Sequence, residues 1–202
     1  MQGIYLVIPK IRLRIHLLAP VMLGVMLAIE GAIPFLVVAV SALWHELGHL
    51  TAIKLCGERV RRVDIIPIGA VIVRSDGGGY KNDAAIALSG PIFSLLGAII
   101  SAVIYMGSEN VYAFFGLMIN VVFALFNLLP LKRLDGGCAL FALLCNRFEQ
   151  KTAEAAASAV SMLLSIALAL LSVAVFVLSD YNAGVLLLAG ALLLDAACAD
   201  RT

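Results

Sequence analysis

The sequence predicts an all-α polytopic membrane protein with six transmembrane helices and a short β-hairpin between the second and third spans. Three observations support this fold class: the apolar composition, the spacing of long apolar segments and the one-sided distribution of basic residues. Of the 202 residues, 63% are hydrophobic and 13% are charged, which is about half the charged fraction of an average soluble domain. A lipid bilayer is therefore the expected solvent, and residues 1–202 are expected to form a single domain.

The chain contains enough apolar sequence for six membrane crossings. A helix that crosses about 30 Å of hydrocarbon needs roughly 20 apolar residues. Six segments approach that length: 17–33, 34–54, 84–106, 111–130, 155–178 and 183–199. These spans account for most of the chain and leave little sequence for a soluble domain.

Basic residues are confined to one side of this six-span arrangement. All 14 Lys and Arg residues precede the first span, follow the sixth, or lie in the connections after the second and fourth spans. The other three turns carry Glu30, Glu109 and Asp180 and no basic residue. Because short cytoplasmic loops retain Lys and Arg, both termini are expected in the cytoplasm. The net charge of +1 gives no reason to expect nucleic acid as a partner.

The connection between the second and third spans has the composition of two short strands. β-Branched residues surround a break at Pro67 and Gly69 over residues 60–73, a pattern that favours a hairpin at the cytoplasmic face. An unpaired edge of this hairpin could bind an extended peptide through backbone hydrogen bonds, with Gly69 and Val71 as candidate substrate-binding residues. The alternative is a structural hairpin that plugs a cavity.

Two further interruptions occur in the apolar segments. Gly90 and Pro91 stand inside the third span among small residues, which let helices approach closely in lipid. Pro130 ends the fourth span, and Asp135, followed by two glycines, begins a second apolar stretch, for which a capped loop is the simplest interpretation because aspartate is a good N-cap.

The second span contains the pattern H-E-x-x-H at His45, Glu46 and His49. Residues four apart lie on one face of a helix, so both imidazoles can bind one metal ion while the glutamate lies beside it. In this pattern the glutamate is the general base for a zinc-activated water. Ionisable groups inside a span cost about 2.5–3.5 kcal/mol each, so three of them on one helix imply a compensating partner or a wet cavity.

Two histidines leave a catalytic zinc site one protein ligand short, because such sites generally have three. Asp135 is the preferred third ligand, since its glycine-rich break could turn a carboxylate inward, and His16 is the lesser candidate. Counting from Lys54 at about 1.5 Å per residue places His45 roughly 14 Å below the cytoplasmic boundary. The expected metal site therefore lies within the depth of the membrane and opens toward the cytoplasm.

These residues resemble the site-2 protease family of intramembrane zinc metalloproteases. The H-E-x-x-H helix matches its metal-binding span, and Asn127, Pro130 and Asp135 match its N-x-x-P and L-D-G elements. Gly90 and Pro91 are similar to its third-span G-P element, in which Ser94 stands where many relatives have Asn. The stretches "IHLLAP", "RVRRVDIIPIGAVIV" and "NLLPLKRLDGG" are similar to the sporulation branch, and the C-terminal CBS domain of that branch is not expected here.

The resemblance implies specific roles for these residues. His45, His49 and Asp135 would ligate one Zn²⁺ per chain, Glu46 would activate water, and Asn127 would hold the substrate backbone or the developing oxyanion. Gly90, Pro91 and Pro130 are further candidate substrate-binding residues. The implied substrate is a membrane-tethered protein such as a pro-sigma factor, cleaved in a bacterial cytoplasmic membrane, and inhibitory membrane proteins are further candidate partners.

Two other functions remain open on the sequence alone. A helix with this pattern could line the path of a zinc transporter, although such a path normally needs further ligands on neighbouring spans. The chain could also be a catalytically silent membrane adaptor, although it contains every residue type that hydrolysis requires.

Overall fold

The computed structural model describes residues 3–8, 11–16, 24, 27–28, 31–66, 69–74 and 78–178. The chain divides into two compact units, residues 1–126 and 127–202. Among the described residues, the first unit contains a β-sheet and three long helices, and the second unit contains two helices. The single domain stays a prediction.

The sheet of the first unit has four strands in the order β1-β2-β3-β4. Strands β1 (Gly3–Ile8) and β2 (Ile11–His16) form an antiparallel hairpin, and β2 then pairs in parallel with β3 (Val60–Ile66). Strand β4 (Gly69–Arg74) pairs antiparallel with β3. The predicted hairpin between the second and third spans is therefore confirmed as β3 and β4.

The description "all-α" is corrected by the N-terminal hairpin. The segment "IRLRIH" in β2 alternates apolar and polar residues with the period of a strand, a signal that the sequence prediction did not include. As a result β3 is paired on both sides, with β2 and with β4. Of the two described strands of the predicted hairpin, only β4 lies at an edge of the sheet. His16, the lesser candidate ligand, is the last residue of β2.

Three helices of the described residues are long and apolar enough to cross a membrane. They are α1 (Ala32–Leu55) and α2 (Gly79–Ser108), with 24 and 30 residues, and α5 (Gln150–Leu178), with 29 residues. They correspond to the second, third and fifth predicted spans. The helix α3 (Val111–Asn127) in the place of the fourth span has 17 residues. The first predicted span lies mostly, and the sixth wholly, outside the described residues.

The helices of the first unit pack through small residues and turn large apolar side chains outward. Gly48 on α1 shows how close α1 and α2 approach, since a Cβ there would lie 2.6 Å from the carbonyl oxygen of Ser89. Trp44 donates its indole N–H to the carbonyl of Phe93, at 2.6 Å. By contrast Leu43 on α1 is 70% exposed. This distribution is the one expected of helices whose outer surface faces lipid.

A cluster of charged residues anchors β4 to the start of α2. The Arg74 guanidinium contacts the carboxylate of Glu58, at 2.7 Å, and that of Asp83. Burial alone would lower the pKa of Arg74, but hydrogen bonds with Asp83 and Glu58 hold that pKa above its ordinary value. The guanidinium therefore stays charged, which matters because the Glu58 side chain is only 5% exposed and needs a cation beside it.

The second unit begins with a tight turn between the end of α3 and α4 (Asp135–Cys145). Proline disfavours the helical conformation of the residue before it. Consistent with this, the helix α3 ends at Asn127, three residues before Pro130. The backbone N–H of Lys132 then donates to the hydroxyl of Ser161 on α5, at 3.0 Å. This bond ties the turn to the long helix of the same unit.

Candidate metal centre

The face of α1 that packs on α2 carries the two histidines of the H-E-x-x-H pattern. His45 and His49 are both buried, 6% and 9% exposed, and lie one helical turn apart. Their rings are close, with centroids 4.9 Å apart, and the ring of His45 also meets Phe123 of α3 edge-on. The predicted convergence of the two imidazoles is therefore present within the first unit.

Helix α2 engages the Nδ1 atom of each ring. The Nδ1 of His49 lies 2.9 Å from the carbonyl oxygen of Ile86, and the Nδ1 of His45 lies 2.9 Å from the hydroxyl oxygen of Ser94. A carbonyl only accepts hydrogen bonds, so the Nδ1 of His49 must carry the proton. In a neutral His49 the Nε2 atom is then the unprotonated nitrogen, which is the form of histidine that binds metals.

The two Nε2 atoms lie 3.2 Å apart. Two Zn–N bonds of standard length meeting at a tetrahedral angle separate their nitrogens by about 3.3 Å. The separation of the two nitrogen donors therefore fits a zinc ion.

Gly90 of α2 faces these nitrogens directly. A Cβ at this position would overlap Nε2 of His49 and come within 2.7 Å of Nε2 of His45. Pro91, the next residue, is fully buried and continues α2 without interrupting it. From the sequence both were candidate substrate-binding residues, whereas the contacts of Gly90 in the first unit are to the ring atoms of the two histidines.

In the second unit, Asp135 is the first residue of α4 rather than its N-cap. The N-cap is Leu134, in an extended conformation, and no side chain caps the helix. The alternative interpretation of Asp135 as a helix cap is therefore wrong. A carboxylate in the first turn is stabilised by the helix dipole, and Asp135 is half-buried.

The two glycines after Asp135 set the close packing of this turn. A Cβ on Gly136 would overlap the carbonyl oxygen of Leu128, and a Cβ on Gly137 would overlap that of Leu131. Neither position accepts a side chain without displacing backbone. Asp135 therefore stands at the start of a helix whose first turn packs tightly against the preceding turn of the chain.

The remaining predicted site residues lie at defined places in their own units. Glu46 follows His45 on α1 and is half-buried, and Asn127, at the end of α3, is half-buried as well. Pro130 lies in the turn after α3, and Gly69 and Val71 belong to strand β4. The contacts of Ser94 and Ile86 with the histidines were not predicted. The carbonyl of Ile86 has no sequence signal, but Ser94 lies four residues after Gly90 on the same helix face.

Comparison with known proteins identifies the family. The family model described as peptidase family M50 matches residues 33–111 and 104–172. The chain belongs to peptidase family M50. The matched residues include the H-E-x-x-H helix, Gly90 and Asp135, whereas the stretch "IHLLAP" precedes them. Together with its long apolar helices, this membership makes the chain an integral membrane protein.

Two curated proteins are similar to part of the chain. A zinc metalloprotease of Methanocaldococcus jannaschii is 29% identical over 126 residues, which is 60% of this chain and 37% of that protein. Stage IV sporulation protein FB of Bacillus subtilis is 31% identical over 107 residues, which is 49% of this chain and 36% of that protein. The chain thus matches little more than a third of each relative's length.

A solved structure shares the fold. The chain is similar to the site-2 protease from Methanocaldococcus jannaschii, with a TM-score of 0.70 and 22% identity over 96% of this chain and 94% of that one. This likeness shows that the M50 chain adopts a site-2 protease fold.

Proposed function

We propose that this chain is an intramembrane zinc metalloprotease in which His45, His49 and Asp135 bind one Zn²⁺. The observation that carries the proposal is the pair of buried Nε2 atoms 3.2 Å apart, with both Nδ1 atoms engaged by α2. Asp135 offers a carboxylate oxygen, and none of the three residues is solvent-exposed. Membership of peptidase family M50 supports the same ligand set.

The chemistry follows from the residues around these ligands. Zinc, when bound, polarises a peptide carbonyl and makes water more acidic. The Glu46 carboxylate takes a proton from the attacking water and passes it to the departing amine as the peptide C–N bond breaks. The side-chain amide of Asn127 donates a hydrogen bond to the carbonyl oxygen on which negative charge develops.

The proposed substrate is a membrane-tethered protein. The large apolar side chains on the outside of α1 and α2 suit a lipid environment, and the basic residues suit a cytoplasmic opening with both termini on that side. The relative from Bacillus subtilis is a sporulation protein by name, which supports a tethered pro-sigma factor or similar regulator of a bacterial cytoplasmic membrane as substrate.

Strand β4 is the proposed docking edge for that substrate. An intramembrane peptide must leave its helix before its carbonyls can react, and pairing with an exposed strand replaces the lost backbone hydrogen bonds. Among the described strands, β4 ends the sheet, and Arg74 anchors it to Glu58 and Asp83. Gly69 and Val71 lie on this strand.

Proline substitutions on β4 test this docking edge. Alternate residues of an edge strand direct their N–H toward the neighbouring strand and away from it, so only one of Val71→Pro and Ile72→Pro breaks the ladder with β3. The other variant should keep wild-type thermal stability and zinc content but cleave a tethered substrate about tenfold more slowly, since loss of one backbone bond costs about 1 kcal/mol or more. Unchanged turnover in that variant would discard the docking edge.

Metal removal tests the protease itself. Purified protein in lipid vesicles should cleave a co-reconstituted, membrane-tethered reporter, lose cleavage after treatment with a chelator, and regain it on adding one equivalent of Zn²⁺. Metal analysis of the same sample should find one zinc per chain. Cleavage that persists in fully metal-free protein would overturn the proposed function.

A further inference from the structure

We infer that Ser94 and Gly90 of α2 are the positioning residues of the metal centre, a role that rests on the proposed function. Ser94 orients the imidazole of His45, and Gly90 leaves the space in which both Nε2 atoms meet the ion. Neither residue touches substrate in this role. Both act by determining where the ligand atoms of α1 point.

Ser94 is placed to select one tautomer of His45. Its hydroxyl lies 2.9 Å from Nδ1 of His45 and the residue is completely buried, so no water competes for that nitrogen. When Nε2 binds a metal, Nδ1 carries the proton, and the serine oxygen then accepts the hydrogen bond. The carbonyl of Ile86 does the same for His49. Helix α2 therefore orients both imidazole rings through contacts with their Nδ1 atoms.

Gly90 acts through the absence of a side chain. A methyl group there would occupy the region of Nε2 of His49 and crowd Nε2 of His45, which are the two atoms that would hold the ion. The helix backbone at this point is constrained by Pro91 and by the contact of Ser89 with Gly48. The histidine rings, rather than α2, would have to move.

The first unit contains a matched control for each residue. Ser41 is a buried serine on α1 whose hydroxyl also has a partner on another helix, since it accepts a hydrogen bond from the side-chain amide of Asn120 at 2.9 Å rather than from a histidine. Gly97 is a buried glycine on α2 whose added Cβ would come 2.6 Å from Oδ1 of Asn120. Substituting Ser41 or Gly97 disturbs helix packing in the same manner but away from the metal-binding nitrogens.

The test measures zinc affinity of the purified full chain by competition with a chromogenic chelator. Ser94→Ala should weaken zinc binding about 10- to 100-fold, the usual effect of losing an outer partner of a ligand, while Ser41→Ala leaves it unchanged. Gly90→Ala should bind zinc more weakly still, and Gly97→Ala should bind as wild type does. With Co²⁺ in place of zinc, the visible absorption bands should shift in the Ser94 and Gly90 variants only.

Each outcome decides one of the two proposals. If the wild-type protein binds no stoichiometric zinc, the proposed function fails and the positioning role fails with it. If the wild type binds zinc and Ser94→Ala has the affinity and cobalt spectrum of Ser41→Ala, the positioning role alone is overturned. Thermal unfolding of the metal-free proteins shows whether Gly90→Ala folds, and Ser94→Ala decides the question if it does not.

Discussion

Replacing Glu46 by glutamine should abolish cleavage while leaving zinc bound. Glutamine has the size and hydrogen-bonding shape of glutamate but cannot accept the proton of an attacking water, and loss of a general base costs about 10²- to 10⁴-fold in rate. The proposed zinc ligands His45 and His49 are unchanged in this variant. The measurement is the rate of cleavage of a tethered reporter in vesicles, together with zinc content of the same preparation.

Glu154→Gln is the matched control for this substitution. Glu154 is an exposed glutamate within the helix α5, so its replacement removes the same charge from a helix without touching the proposed centre. It should cleave at the wild-type rate. If the Glu46→Gln enzyme retained full activity, Glu46 would not be the general base of the reaction.

Replacing Asp135 by alanine should remove both zinc and activity. A catalytic zinc site generally has three protein ligands, and two histidines alone hold the ion weakly. The loss of zinc affinity should exceed the roughly 10- to 100-fold effect of losing an outer partner, so Asp135→Ala should bind zinc less tightly than Ser94→Ala. Metal analysis after dialysis against a buffered zinc concentration gives the comparison.

His16→Ala is the competing variant for the third ligand. His16 was the other candidate from the sequence and ends strand β2. If Asp135 is the ligand, His16→Ala should keep one zinc per chain and its cleavage activity. Retention of zinc by Asp135→Ala together with its loss in His16→Ala would reverse the assignment.

The sequence predicted the parts of this protein that depend on local pattern. The four-residue spacing of His45 and His49 put both rings on one face of a long apolar helix, and α1 contains them as expected. The β-branched residues around Pro67 predicted the hairpin of β3 and β4. Periodicity and spacing are properties of neighbouring residues, so they can be recognised without knowledge of the fold.

Other features were present in the sequence but assigned differently. The alternation in "IRLRIH" indicates a strand, yet its basic residues had been used only as a topology signal, so the N-terminal hairpin was missed. Asp135 was a candidate cap for α4 because aspartate is a good N-cap, but the helix begins one residue earlier than that role requires, at Asp135 itself, with Leu134 as N-cap. A helix boundary that is off by one residue changes the role of a side chain at that boundary.

By itself, the sequence determined that the chain is apolar, that α1 carries a zinc-binding pattern, and that a hairpin follows it. Only the tertiary structure decided that Ser94 and the Ile86 carbonyl engage Nδ1 of the two histidines and that Gly90 must lack a side chain. These contacts join residues 37 and 49 positions apart, and they depend on how closely α1 and α2 pack. Helix packing of that kind arises from the combined shape of two surfaces, which no local pattern in either helix specifies.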